Sequence, residues 1–377
     1  MDVVITGIGL ISCLGSLPKT WSSILRGKSG IKPSQPFKQL DAYPLGLINP
    51  QPAQISDLTE RILVAALENA KLETVQNDCG VVIGSSRGCQ AIWEQLTTQN
   101  DSNRFDSSDS SWLETLPHQP GIIVGKHLKT TAPVLAPMAA CATGIWALSR
   151  GYELIKTGRC ERVVAGAVET PISPLTLAAF ERMGALAETG CYPFDIAREG
   201  LVLGEGGAMF VIETAELAAR RQAKVYGKIR GFGLTCDAYH ISSPQAVNGS
   251  AARAIKQSLE HSGLDASSID YIHAHGTSTI LNDRHEAQLI QHIFPHRVAV
   301  SSTKGATGHT LGASGAISVA LTLMAMKHGY IPPCVGLKDI EFDLDVVIET
   351  RETEINHAMC FSFGFGGQNA VVTLSKE

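Results

Sequence analysis

Short apolar runs alternate along the chain with longer segments in which apolar residues recur at helical spacing. This alternation predicts an α/β protein in which strand–helix units surround largely buried sheets. The predicted strands are 3–6, 80–84, 134–137, 162–167, 208–213, 269–273, 298–301, 357–361 and 370–374. The predicted helices are 58–72, 141–157, 175–183, 250–262, 283–293 and 311–328. The stretch 100–111 is rich in serine and aspartate and is the best candidate for a surface loop.

A predicted strand leads into a predicted helix at 134–157, and a comparable strand, loop and helix follow at 298–328. The repeated pattern suggests an internal duplication with its junction near 214–224. We therefore expect two related halves, 1–215 and 216–377.

Composition narrows the functional classes. The 377 residues are 44% hydrophobic and carry a net charge of −5, so the chain can bury a large core and lacks the basic excess of nucleic-acid or membrane-surface binders. No run approaches the roughly 18 apolar residues of a membrane span, and Met1 leads into an apolar strand and not into a signal peptide. The nine cysteines lack the spacing of a disulfide framework or a zinc site. We expect a cytoplasmic protein.

Cys141 lies between a predicted strand and the start of a predicted helix. At a helix N-terminus, unpaired amides and the helix dipole favour a thiolate, so we expect the pKa of this thiol to be lowered. Most cysteines are only small buried residues. Here, however, small neighbours such as Ala140 and Gly144 leave room for a substrate beside the sulfur. Cys141 is therefore a candidate nucleophile.

His275 lies in a loop rich in glycine and threonine that follows the predicted strand 269–273. This position suits acid–base or hydrogen-bonding chemistry. The alternative is a loop histidine that bonds only to backbone. His273 and His275 also form an HxH pair, but no acidic or cysteine ligand is spaced to complete a metal site, and we expect no metal.

Lys304 and His309 lie in a third loop, at 301–315, between a predicted strand and a predicted helix. The glycines of this loop let a ligand approach the backbone. A phosphate loop is the alternative, but Lys304 precedes the glycines and the order GxxxxGK[ST] does not occur.

Gly7 and Gly9, after the first predicted strand, resemble part of a dinucleotide-binding fingerprint. The third glycine of that fingerprint is missing, which argues against a Rossmann site.

The segment 361–369 alternates phenylalanine with glycine. It is either core packing or a set of exposed amides flanked by apolar rings. The second arrangement would suit an oxyanion hole beside an acyl-chain tunnel.

Together these segments resemble the β-ketoacyl-acyl carrier protein synthases, the elongating condensing enzymes of the thiolase superfamily. The resemblance covers nearly the whole chain, and its motifs occur in the family's order. The matching segments are 3–9 (VVITGIG), 140–144 (ACATG), 193–206 (PFDIAREGLVLGEG), 237–240 (DAYH), 274–279 (AHGTST), 302–304 (STK), 307–309 (TGH) and 363–367 (FGFGG).

The resemblance implies a five-layered αβαβα thiolase-like fold of two related halves, usually a homodimer, with no metal or redox cofactor. It implies that Cys141 takes an acyl group from the phosphopantetheine of an acyl carrier protein. His275 and His309 would then stabilise the malonyl-derived carbanion as carbon dioxide departs, and that carbanion would attack the acyl group on Cys141.

The resemblance also assigns supporting roles. The amides of Cys141 and Phe365 would form the oxyanion hole, and Phe363 and Phe365 would be mobile rings beside the cysteine. Lys304 and Glu286, on the helix that follows Asp283, would orient His309. Four hydroxyl residues would contact pantetheine: Thr277, Thr279, Ser242 and Ser243.

Some positions depart from the family's pattern. The basic cluster that is common near the helix 58–72 is reduced to Arg61. Phe361 and Ser318 replace the Asn and Glu often found there, which puts a structural cation in doubt.

Two alternative functions remain. One is an initiating synthase or a thiolase, but these enzymes lack a histidine at the position of His309. The other is a non-condensing chain-length partner subunit, but such subunits lose the nucleophile that this chain keeps.

Overall fold

The computed structural model describes residues 1–72, 77–99 and 110–377, so nearly all of the predicted loop 100–111 lies outside the described residues. The helices of the described ranges are α1 (Leu17–Leu25), α2 (Ile55–Asn69), α3 (Gln90–Gln99), α4 (Gln119–Leu128), α5 (Thr143–Lys156), α6 (Pro174–Arg182), α7 (Ala215–Arg220), α8 (Ser250–Ser262), α9 (Ile280–Ile293), α10 (Lys304–Thr307) and α11 (Ser314–His328). The strands are β1 (Val3–Ser12), β2 (Gly15–Ser16), β3 (Lys32–Ser34), β4 (Tyr43–Leu45), β5 (Gly80–Gly84), β6 (Val134–Leu135), β7 (Arg162–Glu169), β8 (Gly206–Thr214), β9 (Gly227–Cys236), β10 (Tyr271–His273), β11 (Ala299–Ser301), β12 (Tyr330–Ile331), β13 (Asp345–Val346), β14 (Arg351–Glu352), β15 (His357–Gly364) and β16 (Gln368–Ser375).

Each predicted strand and helix overlaps an observed one, but several observed elements were not predicted, and the ten-residue strand β9 is among them. Its glycines suggest turns when the sequence is read alone. In the structure they lie against helix α8: a Cβ atom on Gly233 would come within 1.7 Å of the Ala254 carbonyl oxygen, and one on Gly231 within 2.8 Å of the Ser258 carbonyl oxygen. The glycines are therefore a packing requirement of the strand.

The large sheet repeats one strand order on both sides of a central pair. Strands β1 and β9 pair antiparallel, with Val3 opposite Ile229. From β1 the order is β1-β8-β7-β5-β6, and from β9 it is β9-β16-β15-β10-β11. The first two pairings on each side are antiparallel and the next two are parallel.

Helices α5 and α11 lie between the two half-sheets and contact strands of both. Every residue of α11 from Ser314 to Met326 is buried, as expected for a helix with neighbours all round. Helix α2 covers the outer face of the β1 half, and α8 covers that of the β9 half. These layers form the five-layered αβαβα arrangement expected from the sequence.

The fold brings three loops together at the carboxyl ends of parallel strands. Cys141 follows β6, His275 follows β10, and Lys304 and His309 follow β11, the parallel neighbour of β10. In parallel α/β sheets ligands bind at this end of the strands. Within the described ranges, no helix has both the length and the apolar character needed to cross a membrane.

The contact between β9 and α8 supplies the first prediction. Gly233→Ala should lower the melting temperature by several degrees, because overpacking of this kind typically costs about 1–3 kcal/mol. Gly121→Ala is the matched control, since a Cβ there has no neighbour closer than 3.6 Å. Differential scanning calorimetry compares the two variants. Equal melting temperatures would contradict the packing role of Gly233.

Candidate active site

Cys141 is presented by a strained turn. Ala140, just before it, has a φ of 47°, a conformation that costs an alanine roughly 1–2 kcal/mol. Neighbouring bonds hold the turn: the Thr143 hydroxyl donates to the Ala140 carbonyl (2.6 Å) and accepts from the Ala139 amide (2.9 Å), and the Ser362 hydroxyl donates to the Cys141 carbonyl (2.8 Å). Cys141 thus lies two residues before helix α5.

The expected lowering of the Cys141 pKa is wrong for the resting site. Burial raises the pKa of this thiol to about 11, although the positive charge of Lys304 and the backbone amide of Phe365 act in the opposite direction. The helix N-terminus was visible in the sequence, whereas burial of the thiol in an apolar cluster was not. The resting group is a neutral thiol, and any thiolate has to form during the reaction.

His275 and His309 lie beside Cys141. One side-chain ligand atom from each of the three residues lies within 4.8 Å of the other two. The two imidazole rings meet edge to face, with centroids 5.3 Å apart and planes at 83°. All three residues are buried. The structure therefore brings together the three residues that the sequence motifs singled out.

The Nδ1 atoms of the two imidazoles have different partners. Lys304 Nζ lies 3.4 Å from His275 Nδ1 and also donates to the His275 carbonyl oxygen. Ser314 Oγ lies 2.8 Å from His309 Nδ1 and is itself 3.1 Å from Thr310 Oγ1. The expectation that Lys304 orients His309 is therefore corrected: Lys304 contacts His275, and Ser314, which was not singled out, contacts His309.

Both imidazoles are neutral. Burial, together with the nearby Lys304 charge, holds the pKa of His275 and of His309 well below the usual range. Because Nδ1 of each ring is engaged by Lys304 or Ser314, Nε2 is the nitrogen left for the cavity. With Nδ1 accepting, each Nε2 carries the proton and acts as a hydrogen-bond donor without a full positive charge.

Two buried carboxylates hold the loop that carries His275. Glu286 accepts from the amides of His275 (2.6 Å) and Gly276 (2.7 Å). Asp283 accepts from the amides of Phe194 (2.8 Å) and Ser278 (3.2 Å). Burial raises the pKa of both carboxyl groups and lowers that of Lys304, while attraction between Glu286 and Lys304 favours their charged forms. The predicted supporting residues thus act on His275 and its loop.

A cavity of about 330 Å³ opens beside Cys141 and both histidines. Its walls include the surface segments 241–244 and 279–282 and the Phe/Gly loop, which is the segment 361–369 that alternates phenylalanine with glycine. The predicted pantetheine and gate residues all line it: Thr277, Thr279, Ser242, Ser243, Phe363 and Phe365. The Phe363 ring lies 6.1 Å from the His275 ring, and the Phe365 ring stacks on Phe180 at 6.1 Å.

Glu169 is a buried residue near the site that sequence reasoning missed. It ends strand β7 and accepts from the Ser85 hydroxyl (2.7 Å), the Ser86 amide and hydroxyl (2.7 and 2.6 Å), the Arg87 amide (3.0 Å) and the Gly312 amide (3.1 Å). An acidic residue at the end of an otherwise apolar strand was the available signal. Its distant partners could not be read from spacing.

His273 does not join a metal site with His275. Its Nε2 lies 3.2 Å from Thr303 Oγ1, and burial lowers its pKa to about 3. Among the described residues, the group of possible metal ligands that lie near one another is Cys141, His275 and His309. Their spacing of up to 4.8 Å exceeds the roughly 3.5 Å between neighbouring ligand atoms in tetrahedral zinc sites. The set suits a substrate between its members better than a bound ion.

Comparison with known protein families agrees with this geometry. Residues 47–218 match the N-terminal domain of β-ketoacyl synthase, and residues 226–338 match the C-terminal domain. The 3-oxoacyl-[acyl-carrier-protein] synthase 2 of Staphylococcus aureus (strain COL) is 33% identical over 408 residues, covering 99% of this chain and 98% of the relative. The Synechocystis sp. (strain ATCC 27184 / PCC 6803 / Kazusa) protein of the same name shows the same identity and coverage.

Solved structures agree as well. A ketosynthase in complex with its type II PKS acyl-carrier protein has a TM-score of 0.92 at 25% identity, covering 100% of this chain and 99% of that one. A β-ketoacyl synthase from Burkholderia phymatum STM815 has a TM-score of 0.91 at 28% identity, with the same coverage. The fold is that of a thiolase-like condensing enzyme. The chain belongs to the β-ketoacyl synthase family.

The burial of Cys141 makes a kinetic prediction. Because its pKa is raised to about 11, the rate of alkylation by iodoacetamide should rise nearly tenfold per pH unit between about pH 7 and pH 9. Lys304→Met removes a charge that lowers this pKa and should slow alkylation at each pH. Peptide mapping by mass spectrometry follows Cys141, with the exposed Cys236 as internal reference. A rate that levels off below pH 8 would instead indicate a resident thiolate.

Proposed function

We propose that this protein catalyses the decarboxylative condensation of an acyl chain with malonyl-acyl carrier protein, giving β-ketoacyl-acyl carrier protein in fatty acid or related lipid or polyketide synthesis. One observation carries the proposal. The Cys141 sulfur and two neutral imidazoles share the inner end of a single cavity. A nucleophile and two uncharged donors are the groups that acyl transfer and enolate stabilisation require.

In the first half-reaction Cys141 takes the acyl group. The sulfur attacks the thioester carbonyl of the acyl-carrier protein, and the amides of Cys141 and Phe365 stabilise the oxyanion. The pantetheine sulfur leaves as the new thioester forms, and the proton lost by Cys141 ends on the departing thiol. Because the resting thiol is neutral and both Nε2 atoms already hold protons, the proton passes from the Cys141 sulfur to the departing pantetheine sulfur as the thioester exchanges, and both imidazoles stay neutral.

In the second half-reaction malonyl-carrier protein occupies the same cavity. Its carboxylate leaves as carbon dioxide, and the electrons of the broken C–C bond form an enolate. The Nε2–H groups of His275 and His309 donate to the enolate oxygen, which is why their depressed pKa values matter: each imidazole keeps a proton to donate yet stays uncharged. The enolate carbon attacks the acyl carbonyl, and the Cys141 sulfur leaves as a thiolate that takes up one proton from water.

The cavity mouth supports docking of a carrier protein. Hydroxyls of Thr277 and Thr279, 2.8 Å apart, lie on the path from the surface to Cys141. Four exposed apolar residues surround this path: Met183, Ile241, Ile280 and Leu281. No lysine or arginine is among the described lining residues, so we propose that the acyl carrier protein docks here largely through apolar contacts.

A homodimer is supported by the edge of the large sheet. Strand β6 pairs only on one side, with β5, within the described sheet. Val134 and Leu135 on this strand are partly exposed, and Met138 just beyond it is 69% exposed. Unpaired edge strands with apolar side chains are templates for pairing with another strand. We propose that β6 pairs with its copy in a second chain.

Two further assignments remain proposals. The repeated strand order and the two family matches support a division into related halves, 1–215 and 216–377. Dependence on an acyl carrier protein supports a cytoplasmic location. The alternative, a non-condensing chain-length partner subunit, is disfavoured because Cys141, His275 and His309 are all present and adjacent.

Cys141→Gln tests the proposal. The carboxamide has about the shape of an acyl thioester, so malonyl-carrier protein should still bind and lose carbon dioxide. The enolate would find no acyl electrophile, and acetyl-carrier protein should accumulate without β-ketoacyl product. Release of labelled carbon dioxide and chromatography of carrier-bound products measure both outcomes.

The double variant Cys141→Gln/His309→Ala is the control for that experiment. It should decarboxylate at least tenfold more slowly than the single variant, because a charge-assisted donor to the enolate is lost. Undiminished decarboxylation in the double variant would remove His309 from enolate stabilisation. Condensation by the single variant would remove Cys141 from the mechanism.

Ser314→Ala tests the positioning of His309. Losing one neutral hydrogen bond, worth about 0.5–1.5 kcal/mol, should lower kcat for condensation by up to about tenfold. Acyl loading of Cys141 in a single turnover should change little, since Ser314 acts through His309. Ser318→Ala, at another buried serine one turn along α11, is the matched control. Parallel losses in both half-reactions would indicate a general structural role instead.

A further inference from the structure

Arg87 places a second cation, besides Lys304, near the catalytic site. Its guanidinium carbon lies 5.7 Å from the centre of the Phe180 ring, in a cation–π arrangement. Phe180 in turn stacks on Phe365 with centroids 6.1 Å apart and planes at 25°. Both rings line the cavity that holds Cys141. Two aromatic rings thus connect the guanidinium with the Phe/Gly loop beside the nucleophile.

The backbone of Arg87 is held firmly. Its amide donates to Glu169 Oε1 at 3.0 Å, and the amide of Ser86 donates to Glu169 Oε2 at 2.7 Å. The Gly88 amide donates to Ser85 Oγ at 2.8 Å, with Gly88 in the left-handed region at a φ of 54°. Because Glu169 is fully buried, this loop cannot shift without exposing a carboxylate or leaving it unpaired.

The guanidinium retains unused donors. An arginine offers five N–H groups, and the side-chain bond recorded for Arg87 is from Nη1 to Gln90 Oε1 at 3.4 Å. The amide nitrogen of Gln90 is directed elsewhere, to Glu94 Oε1 (2.8 Å) and Thr176 Oγ1 (3.1 Å). Among the described residues no carboxylate lies within ion-pair distance of Arg87. The side chain is half-buried, so its remaining donors are only partly hydrated.

Arg87 is next to residues that line two cavities. The ring beneath its guanidinium, Phe180, lines the catalytic cavity, while the next residue, Gly88, lines a second cavity of about 710 Å³. Ile172 lines this second cavity and packs in the same apolar cluster as Cys141. An acyl chain that extends from the Cys141 sulfur away from the mouth toward Ile172 would run through the cluster that contains Phe180, the ring on which the guanidinium packs. The charge of Arg87 also reaches the sulfur, since it helps to lower the pKa of the Cys141 thiol.

We propose that Arg87 is a specificity-determining residue that makes the acyl side of the site prefer chains bearing an oxygen acceptor over plain alkyl chains of the same length. This inference rests on the proposed function and concerns its substrate class. A plain alkyl chain beside the guanidinium would remove water from unused donors and return no hydrogen bond. A ketone oxygen would accept a charge-assisted hydrogen bond in that place.

Competition between matched thioesters tests the inference. The intact enzyme is offered equimolar hexanoyl- and 5-oxohexanoyl-pantetheine, and separately octanoyl- and 7-oxooctanoyl-pantetheine, so that carrier docking does not contribute. The ratio of acylated forms is read by intact-protein mass spectrometry at short times. Wild type should be acylated by the oxo-acyl group about tenfold or more in preference to the plain acyl group in at least one pair. This is the selectivity expected from one charge-assisted hydrogen bond.

Three variants test whether the preference depends on Arg87. Arg87→Leu should abolish the preference and raise loading of the plain chains, whereas Arg87→Lys should keep part of it because a cationic donor remains. Arg182→Leu removes an exposed arginine two residues from Phe180 and should leave the preference unchanged. Melting temperatures of all variants identify any loss of folding, and Arg87→Lys still provides the test if Arg87→Leu does not fold.

The outcomes separate this inference from the proposed function. Equal loading of both members of each pair by wild type, or a preference that survives in Arg87→Leu, overturns the role of Arg87 while acylation of Cys141 still stands. A wild-type enzyme that none of the thioesters acylates at Cys141 overturns the proposed function, and the substrate preference falls with it. Cys141→Ala identifies adducts at other residues.

Discussion

The close packing of helices α5 and α11 is the contact on which the active site depends. A Cβ atom on Gly144 would come within 2.5 Å of the Ala316 amide, and one on Gly315 within 2.9 Å of the Ile145 side chain. Only glycines at the starts of these two helices allow the approach. Because Cys141 lies two residues before α5 and His309 lies in the loop before α11, the same contact sets Cys141 beside His309. His275 joins them from β10, the parallel neighbour of the strand that leads to His309.

Burial determines the charges of this assembly. Removing water raises the pKa of the Cys141 thiol and depresses those of His275 and His309, so the three groups rest uncharged. Burial also disfavours the charged forms of Lys304 and Glu286, but the attraction between these two residues favours those charged forms. A neutral centre bordered by this pair suits a reaction in which negative charge appears transiently on a thioester oxygen. Donors that are already oriented need little rearrangement when that charge develops.

The alternation of apolar runs predicted an α/β protein, and the family resemblance implied the thiolase-like arrangement. The three central residues could be singled out because their signals are local. A cysteine or histidine in a small-residue loop after an apolar strand is visible in one short segment. The partners of these residues depend on the three-dimensional arrangement. Ser314 looks like any serine at a helix start until His309 is seen beside it. The Cys141 pKa was mispredicted for a related reason: helix position can be read from sequence, but the depth of burial cannot.

The Glu169 carboxylate connects two separate loops near the site, and Glu169 belongs to none of the sequence motifs. Its carboxylate holds the loop of Ser86 and Arg87 in the first part of the chain and accepts the Gly312 amide from the segment between His309 and α11. A Cβ on Gly312 would lie 2.6 Å from Glu169 Oε2, so only glycine fits there. Burial raises the pKa of Glu169, and the donors around it oppose that shift by favouring the charged form. Since the same oxygen accepts from Ser86 and Gly312, a movement of the Arg87 loop alters the support of the segment that carries His309. The Arg87 loop and the segment between His309 and α11 are therefore linked through a single buried carboxylate.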